Sequence, residues 1–421
     1  MPRSASIANV ISLFLTMLVA GCVSTALLAP TPNVYAVAAG YSDAGISPAW
    51  RTTKAELLYI TDRAAEPKAG GVEYGLRRSS SMAFGTAQVS FEGVSSWEEL
   101  KALSGMQRRS RPINLKVQRI EEKVRFSRSP LPFERIDGRV RTLPEEESIY
   151  RGQQAELQAA IRARLGASVK KEVMLFVPGV RNTFDEGAQS LTNLWHFSQR
   201  HGVPILLSWP SGNGGLTGYF RDSDAAEFSI FHFKQLVGII ASMPEVERIH
   251  LIAHSHGAEI ATSGMRELII AEREKGNAPV ETLKIANLIL AAPDLDFGVV
   301  QQRLIAERFG PAFGRVTVYM NPEDDALGLA QSVLSGTRFG RLSAMDLDES
   351  EMRVLAGIRN VNFVDVNASS GGLGHSYFRD NPAVLSDIAL SIQTNAAPGT
   401  PSRPLTKNGD IFWTLNENYP F

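Results

Sequence analysis

From Lys171 to Gln393 the chain repeats one pattern, and that pattern restricts the fold more than any other feature. A short run of consecutive apolar residues is followed by a longer stretch with apolar residues at helical spacing. The runs are EVMLFVPG, VPILLSWP, RIHLIA, ANLILAAPD, RVTVYMN and NVNFVDV. Helices are expected over Phe184–Gln199, Ala225–Ala241, His256–Glu274, Phe297–Phe309, Asp324–Leu334 and Asn381–Gln393. A strand that is apolar at every position, rather than at alternate ones, is buried on both faces. Strands of that kind alternating with amphipathic helices give an α/β fold, a mostly parallel sheet with helices on both faces. The chain has 421 residues, 44% hydrophobic and 21% charged, enough for one such domain over 169–395 and an extension before it.

In a sheet of this kind the loops at the carboxyl ends of the strands converge on one crevice, so chemistry is sought there. One of these ends reads Ala253-His254-Ser255-His256-Gly257, at the change from strand to helix. Apart from alanine in place of the first glycine, this is the G-x-S-x-G elbow on which α/β-hydrolases carry a nucleophilic serine. Ser255 then needs a base to take its proton and an acid to orient the base, in the chain order serine, acid, histidine. The only histidine after the elbow is His375, in the glycine-rich loop SSGGLGHSYF, apart from His256 beside the serine. Asp325, in YMNPEDDAL after the penultimate strand, is the favoured acid. Asp324 beside it and Asp294 in AAPDLD are the alternatives, and either Asp324 or Asp325 also suits the N-cap of the next helix.

A tetrahedral intermediate requires backbone N–H donors. His256, at the start of a helix, and Val180, in the loop after EVMLFVPG, are the expected pair. His254 and His256 lie two apart on a tight turn and lack a partner at metal-ligand spacing, so no metal is expected. No glycine-rich phosphate loop follows a strand, and no cofactor is expected. Trp209, Tyr219, Phe220 and Phe228 follow the second strand of the repeat and are candidates to wall an acyl pocket.

Taken together, YITDR, YGLRRS, VMLFVPGVRNTFDEG, ILLSWPS, DSDAAEFS, IHLIAHSHG, LILAAPDLD, DDAL and LGHSYF resemble a family of uncharacterised bacterial α/β-hydrolase-fold proteins. The resemblance runs from about Glu56 to Ile392. It implies the hydrolase fold, with Ser255 as nucleophile, Asp325 in the acid segment and His375 as base. The family usually carries His-Gly-Tyr-Asn where this chain has Pro178-Gly179-Val180-Arg181-Asn182, and usually a Met at His256. Both departures fall on the oxyanion side.

The N-terminus carries one Arg, an apolar run from Ile7 to Ala20, and then Val19-Ala20-Gly21-Cys22, with the chain's single cysteine at its end. Residues 1–22 thus read as a signal peptide whose last four residues resemble a bacterial lipobox. A lipid on Cys22 would hold the protein on a membrane at the cell envelope. Val23 in the next position points to the outer membrane rather than the inner. Residues 23–50, rich in Ala, Pro, Ser and Gly, read as a flexible tether, 51–168 as an N-terminal extension with strands, and 396–421 as a C-terminal tail.

The formal net charge of −1 gives no field for nucleic acid, and the basic stretch from Arg108 to Arg128 is broken by Glu121 and Glu122. The expected function is an envelope serine hydrolase, a carboxylesterase or lipase-like enzyme, with an ester or acylated small molecule as substrate. The alternative is a non-catalytic envelope lipoprotein that uses the same fold for binding.

Overall fold

The computed structural model describes residues 27–36, 40–68, 71–334, 336–367 and 373–421. Cys22 and the signal segment lie outside them. The six strands expected from the repeat are β6 Glu172–Val177, β7 Val203–Ser208, β8 Arg248–His254, β9 Ile285–Ala291, β10 Arg315–Met320 and β11 Val361–Asn367. They are joined by β1 Lys54–Lys68, β2 Gly71–Glu92, β3 Asn114–Arg125, β12 Thr406–Asn408 and β13 Phe412–Asn416. The sheet order is β12-β13-β11-β10-β9-β8-β6-β7-β1-β2-β3. The run from β13 to β1 is parallel throughout, and β12, β2 and β3 close its edges antiparallel. A separate hairpin pairs β4 Phe133–Ile136 with β5 Arg139–Thr142.

Every residue of β6 and β7 is buried, which is why these strands read as unbroken apolar runs. The pleat sends alternate side chains to opposite faces. On one face Val173, Leu175 and Val177 pack against helices α2 Pro144–Ala167, α4 Gly215–Ala241 and α5 Gly257–Glu274, through Leu157, Phe233 and Ile260 among others. On the other, Met174 and Phe176 meet α3 Phe184–Phe197 and α8 Pro382–Thr394 through Leu191, Trp195, Val384 and Ile388. Burying each such side chain contributes about 1.5–3 kcal/mol. The remaining helices of eight residues or more are α1 Trp97–Ser104, α6 Asp325–Leu334 and α7 Glu349–Ala356.

Three expectations are corrected here. The stretch expected to be helical over Phe297–Phe309 is a short α-turn, Phe297–Val299, followed by a π-helix over Val300–Ile305. Residues 27–36 and 40–50 are not a tether. Leu28, Tyr35, Tyr41, Ile46 and Trp50 are buried, and the strap is pinned across α3 by Tyr35 and Tyr41 hydroxyls donating to Phe197 O and His196 O. Its low charge reflects burial rather than flexibility. The sheet is not confined to the domain expected over 169–395 either. Leu58–Thr61 of β1 pairs with Ile205–Ser208 of β7, so the extension completes the central sheet. The C-terminal tail supplies β13, which pairs with β11 through Phe412 to Asn416.

Candidate active site

The sheet order reverses at β6. β7 lies on one side of it and β8 on the other, so the loops leaving β6 and β8 part at their carboxyl ends and open a crevice. Both loops carry expected site residues. Ser255 follows β8 directly, with φ +52°, a conformation that costs a residue with a side chain about 1–3 kcal/mol. The strain is held by its surroundings. Ser255 N–H donates to Ala291 O at 2.9 Å, and Asp294 N–H donates to Ser255 O at 3.2 Å.

Close approach explains the glycines on either side. A Cβ on Gly257 would stand 2.4 Å from Pro178 O, and one on Gly179 would stand 2.7 Å from Ser255 Cβ. Ala253, at the position where the elbow usually has glycine, is fully buried and fits.

Ser255 Oγ lies 2.8 Å from His375 Nε2, and His375 Nδ1 lies 2.7 Å from Asp324 Oδ2. Three strand ends thus deliver a serine, a histidine and a carboxylate in one hydrogen-bonded line. The carboxylate is Asp324 and not the favoured Asp325. Asp325 is exposed and opens α6, while Asp324 is fully buried, and its Oδ1 accepts Leu327 N–H at 2.9 Å. One carboxylate both caps the helix and meets the histidine. Burial by itself would lower the proton affinity of His375, but the charge and hydrogen bond of Asp324 outweigh it, and its pKa is raised.

His254 does not join the line. It stacks on Phe378 at 4.2 Å, and burial lowers its pKa well below the usual value. As a neutral ring it donates from Nε2 to His375 O at 3.2 Å, which helps to seat the loop bearing His375.

Asp294, the other alternative, lines the same cleft but makes no hydrogen bond to His375. It accepts from Tyr219 Oη at 2.7 Å and lies 3.5 Å from His256 Nδ1. Burial would raise its pKa, but His256 and Tyr219 lower it.

The sequence profile of a family described as "Alpha/beta hydrolase of unknown function (DUF900)" matches residues 153–393. The chain belongs to this family. An esterase from Pyrobaculum calidifontis is similar at 16% identity over 54% of this chain and 77% of its own, with a TM-score of 0.28. A lipase-esterase related protein from Clostridium acetobutylicum is similar at 10% identity over 50% and 80% of the two chains, with a TM-score of 0.22. No curated protein matches.

In this DUF900 chain the two backbone groups expected to face an oxyanion, Val180 N–H and His256 N–H, donate to no protein acceptor among the described residues. The loop bearing Val180 is held from below by Trp209, which the sequence offered only as a pocket wall, and by Asp222 and Arg63, to which it assigned no role. Trp209 Nε1 donates to Pro178 O at 2.7 Å. Asp222 Oδ2 accepts Arg181 N–H at 2.8 Å, where Arg181 has φ +59°. Arg63, fully buried, donates to Asn182 O, Ser211 O, Gly75 O and Ser208 Oγ at 2.8 to 3.0 Å. Its signal in the sequence was an aspartate and an arginine close behind the apolar run LLYI, in YITDR.

A cleft of about 1120 Å³ opens over Ser255 and His375. Of the four aromatics expected to wall it, only Tyr219 does. Trp209 is buried beneath the loop, and Phe220 and Phe228 lie elsewhere.

Among the described residues one group offers three metal-ligand atoms, Glu172, His201 and His250, at the opposite ends of the strands from Ser255. Glu172 Oε2 accepts from His201 Nε2 at 2.6 Å and His250 Nε2 at 2.7 Å. Asn287 Nδ2 donates to His250 Nδ1 at 3.0 Å, which puts the imidazole proton on Nε2. The three side chains are thus satisfied by hydrogen bonds.

Proposed function

We propose that this protein is a serine hydrolase that cleaves carboxylic esters through an acyl-enzyme. The reading is carried by the line Asp324–His375–Ser255, which ends on a strained serine at the floor of the cleft. His375 Nε2 takes the proton of Ser255 as Oγ attacks the ester carbonyl, and Asp324 holds Nδ1–H and stabilises the imidazolium. Val180 N–H and His256 N–H receive the oxyanion, and these donors are backbone groups, so Pro178 in place of the family's histidine does not remove them. The imidazolium then protonates the departing alcohol, and a water deprotonated by His375 releases the acid. A role in binding alone leaves the positive φ of Ser255 without use.

The test is fluorophosphonate labelling of the full chain, with the modified peptide mapped by mass spectrometry. A label on Ser255 that is lost in His375→Ala supports the reading, and an unlabelled folded protein refutes it. The lipid anchor on Cys22 and an envelope location belong to the same proposal and rest on the N-terminal sequence. A Cys22→Ser chain is then expected in the soluble fraction, and its retention on membranes would count against the anchor.

A further inference from the structure

The walls of the cleft differ in chemistry on its two sides. One side is helix α6, which begins directly after Asp324. Ala326, Leu329, Ala330 and Val333 recur at helical spacing along the cleft, an apolar stripe roughly 10 Å long at 1.5 Å per residue. Leu216, at the start of α4, joins it, and Val333 and Leu216 each remain 40% exposed. A helix face that packs against protein is covered, and this one is open to whatever enters the cleft.

The other side is cationic. Arg379 lies four residues beyond His375, Arg181 directly follows Val180, and Arg109 and Arg111 complete that wall. Arg109 is engaged with Leu28 O, Ala29 O and Leu103 O, and Arg111 is paired with Glu99. Arg379 is different. It donates to neutral Ser190 Oγ at 2.8 Å, and its nearest carboxylate, Asp380, is 4.0 Å from Nε. The acids in the wall are Glu186, Asp294 and Asp380. Glu186 accepts from Thr183 at the start of α3, and Asp294 is engaged with Tyr219. Asp380 comes no closer to Arg379 than that 4.0 Å, and its side chain is 38% exposed to solvent. The guanidinium of Arg379 therefore keeps capacity for an anion within the cleft.

Ser255 lines the same cleft as both sides. We infer, resting on the hydrolase reading above, that the substrate is an anionic amphiphile: an acyl chain lying along α6, ester-linked at Ser255 to an alcohol whose phosphate or carboxylate meets Arg379. Membrane lipids and soluble acyl esters of phosphorylated alcohols both fit this description, and the chemistry recognised is the same.

The experiment uses the full chain and four kinds of ester. p-Nitrophenyl butyrate and decanoate report the acyl side. Monoacylglycerol and monoacylglycerol 3-phosphate, matched in acyl chain, report the charge. The phosphate ester is expected to have a kcat/KM about tenfold or more above the neutral one, as a charge-assisted contact with a guanidinium gives. Arg379→Gln is expected to bring that ratio close to one, and Arg379→Lys to restore part of it. The decanoate-to-butyrate ratio should rise about fourfold for each methylene that the stripe buries, and should fall about tenfold in Val333→Asp. Octanoyl phosphate esters in solution and palmitoyl ones in vesicles separate the two sources. Equal rates for neutral and phosphate esters, or a ratio unmoved in Arg379→Gln, would overturn the inference while a label on Ser255 leaves the hydrolase standing. No label and no hydrolysis of any of these esters would overturn both.

Discussion

Asp324 holds His375 Nδ1 at 2.7 Å with one carboxylate oxygen and Leu327 N–H at 2.9 Å with the other. The acid of the line is thus fixed by the helix it caps, and its neighbour Asp325 points to solvent. Asp324→Asn is expected to lower kcat on p-nitrophenyl butyrate by about 10³- to 10⁴-fold, because the amide no longer holds the imidazole in the productive tautomer. Asp325→Asn is a surface change and should stay within about twofold. Steady-state rates of the two purified variants decide it, and the assignment is wrong if the larger loss falls on Asp325→Asn.

The raised pKa of His375 sets the acid limb of the pH profile. Burial opposes the shift, and the Asp324 charge and hydrogen bond overcome it. His375 must be neutral to act as base, so kcat/KM should rise with pH through a value above the ordinary histidine range. Stability runs the other way. A group that binds its proton more tightly when folded contributes fully below its unfolded pKa, and the contribution is lost as pH rises through the folded one. Residual activity in Asp324→Asn should have its acid limb moved to lower pH. A limb that stays in place would show that another group titrates there.

The strand-helix alternation and the elbow were legible because each rests on local chemistry. Strands buried on both faces must be apolar throughout, as β6 and β7 are, and a strand-to-helix turn that brings Gly257 against Pro178 O leaves no room for a side chain. The serine and the histidine could be located by chain order. The acid was missed by one residue, because choosing between two adjacent aspartates needs the exact start of α6. The strap over 27–36 and 40–50 was misread because a low-charge composition rich in Ala and Pro looks the same in a tether and in a segment packed across a helix. The anchoring of the Val180 loop by Arg63 depends on partners about 120 and 145 residues away. The motif YITDR marks the arginine but does not announce those partners.

Gly179→Ala tests whether the loop must approach the elbow. The added carbon would stand 2.7 Å from Ser255 Cβ and 3.1 Å from His254 Nδ1. Overpacking of this kind costs about 1–3 kcal/mol. The loop can relieve it only by moving Val180 N–H, so kcat should fall by about 10²- to 10³-fold with a smaller change in KM. Urea unfolding and steady-state kinetics on the same preparation separate the two effects. An active Gly179→Ala protein would remove Val180 from the oxyanion pair.

Arg63→Lys keeps the charge and loses the fork. The guanidinium serves four acceptors in a site with no solvent exposure, and an ammonium cannot reach all of them. The carbonyls left unpaired should lower the unfolding free energy by about 2–3 kcal/mol and loosen the loop that bears Val180. A urea midpoint equal to that of the parent chain would show that Arg63 is not what holds this loop.

The last prediction concerns the tail. Arg403 is fully buried and donates to both oxygens of Asp387, at 2.9 and 2.7 Å, on helix α8. The hydroxyls of Tyr319 on β10 and Tyr419 near the C-terminus donate to the same carboxylate at 2.6 and 2.7 Å. The tail therefore closes over a charge that the body cannot leave unpaired, and β13 follows into the sheet beside β11. Arg403→Met removes the cation and strands Asp387 in the interior, which costs about 3–5 kcal/mol. The urea midpoint should drop accordingly, while the folded fraction keeps its rate of fluorophosphonate labelling, because Asp387 touches none of the residues around Ser255. A lowered labelling rate with an unchanged midpoint would reverse that conclusion and make the tail part of the site rather than of the frame.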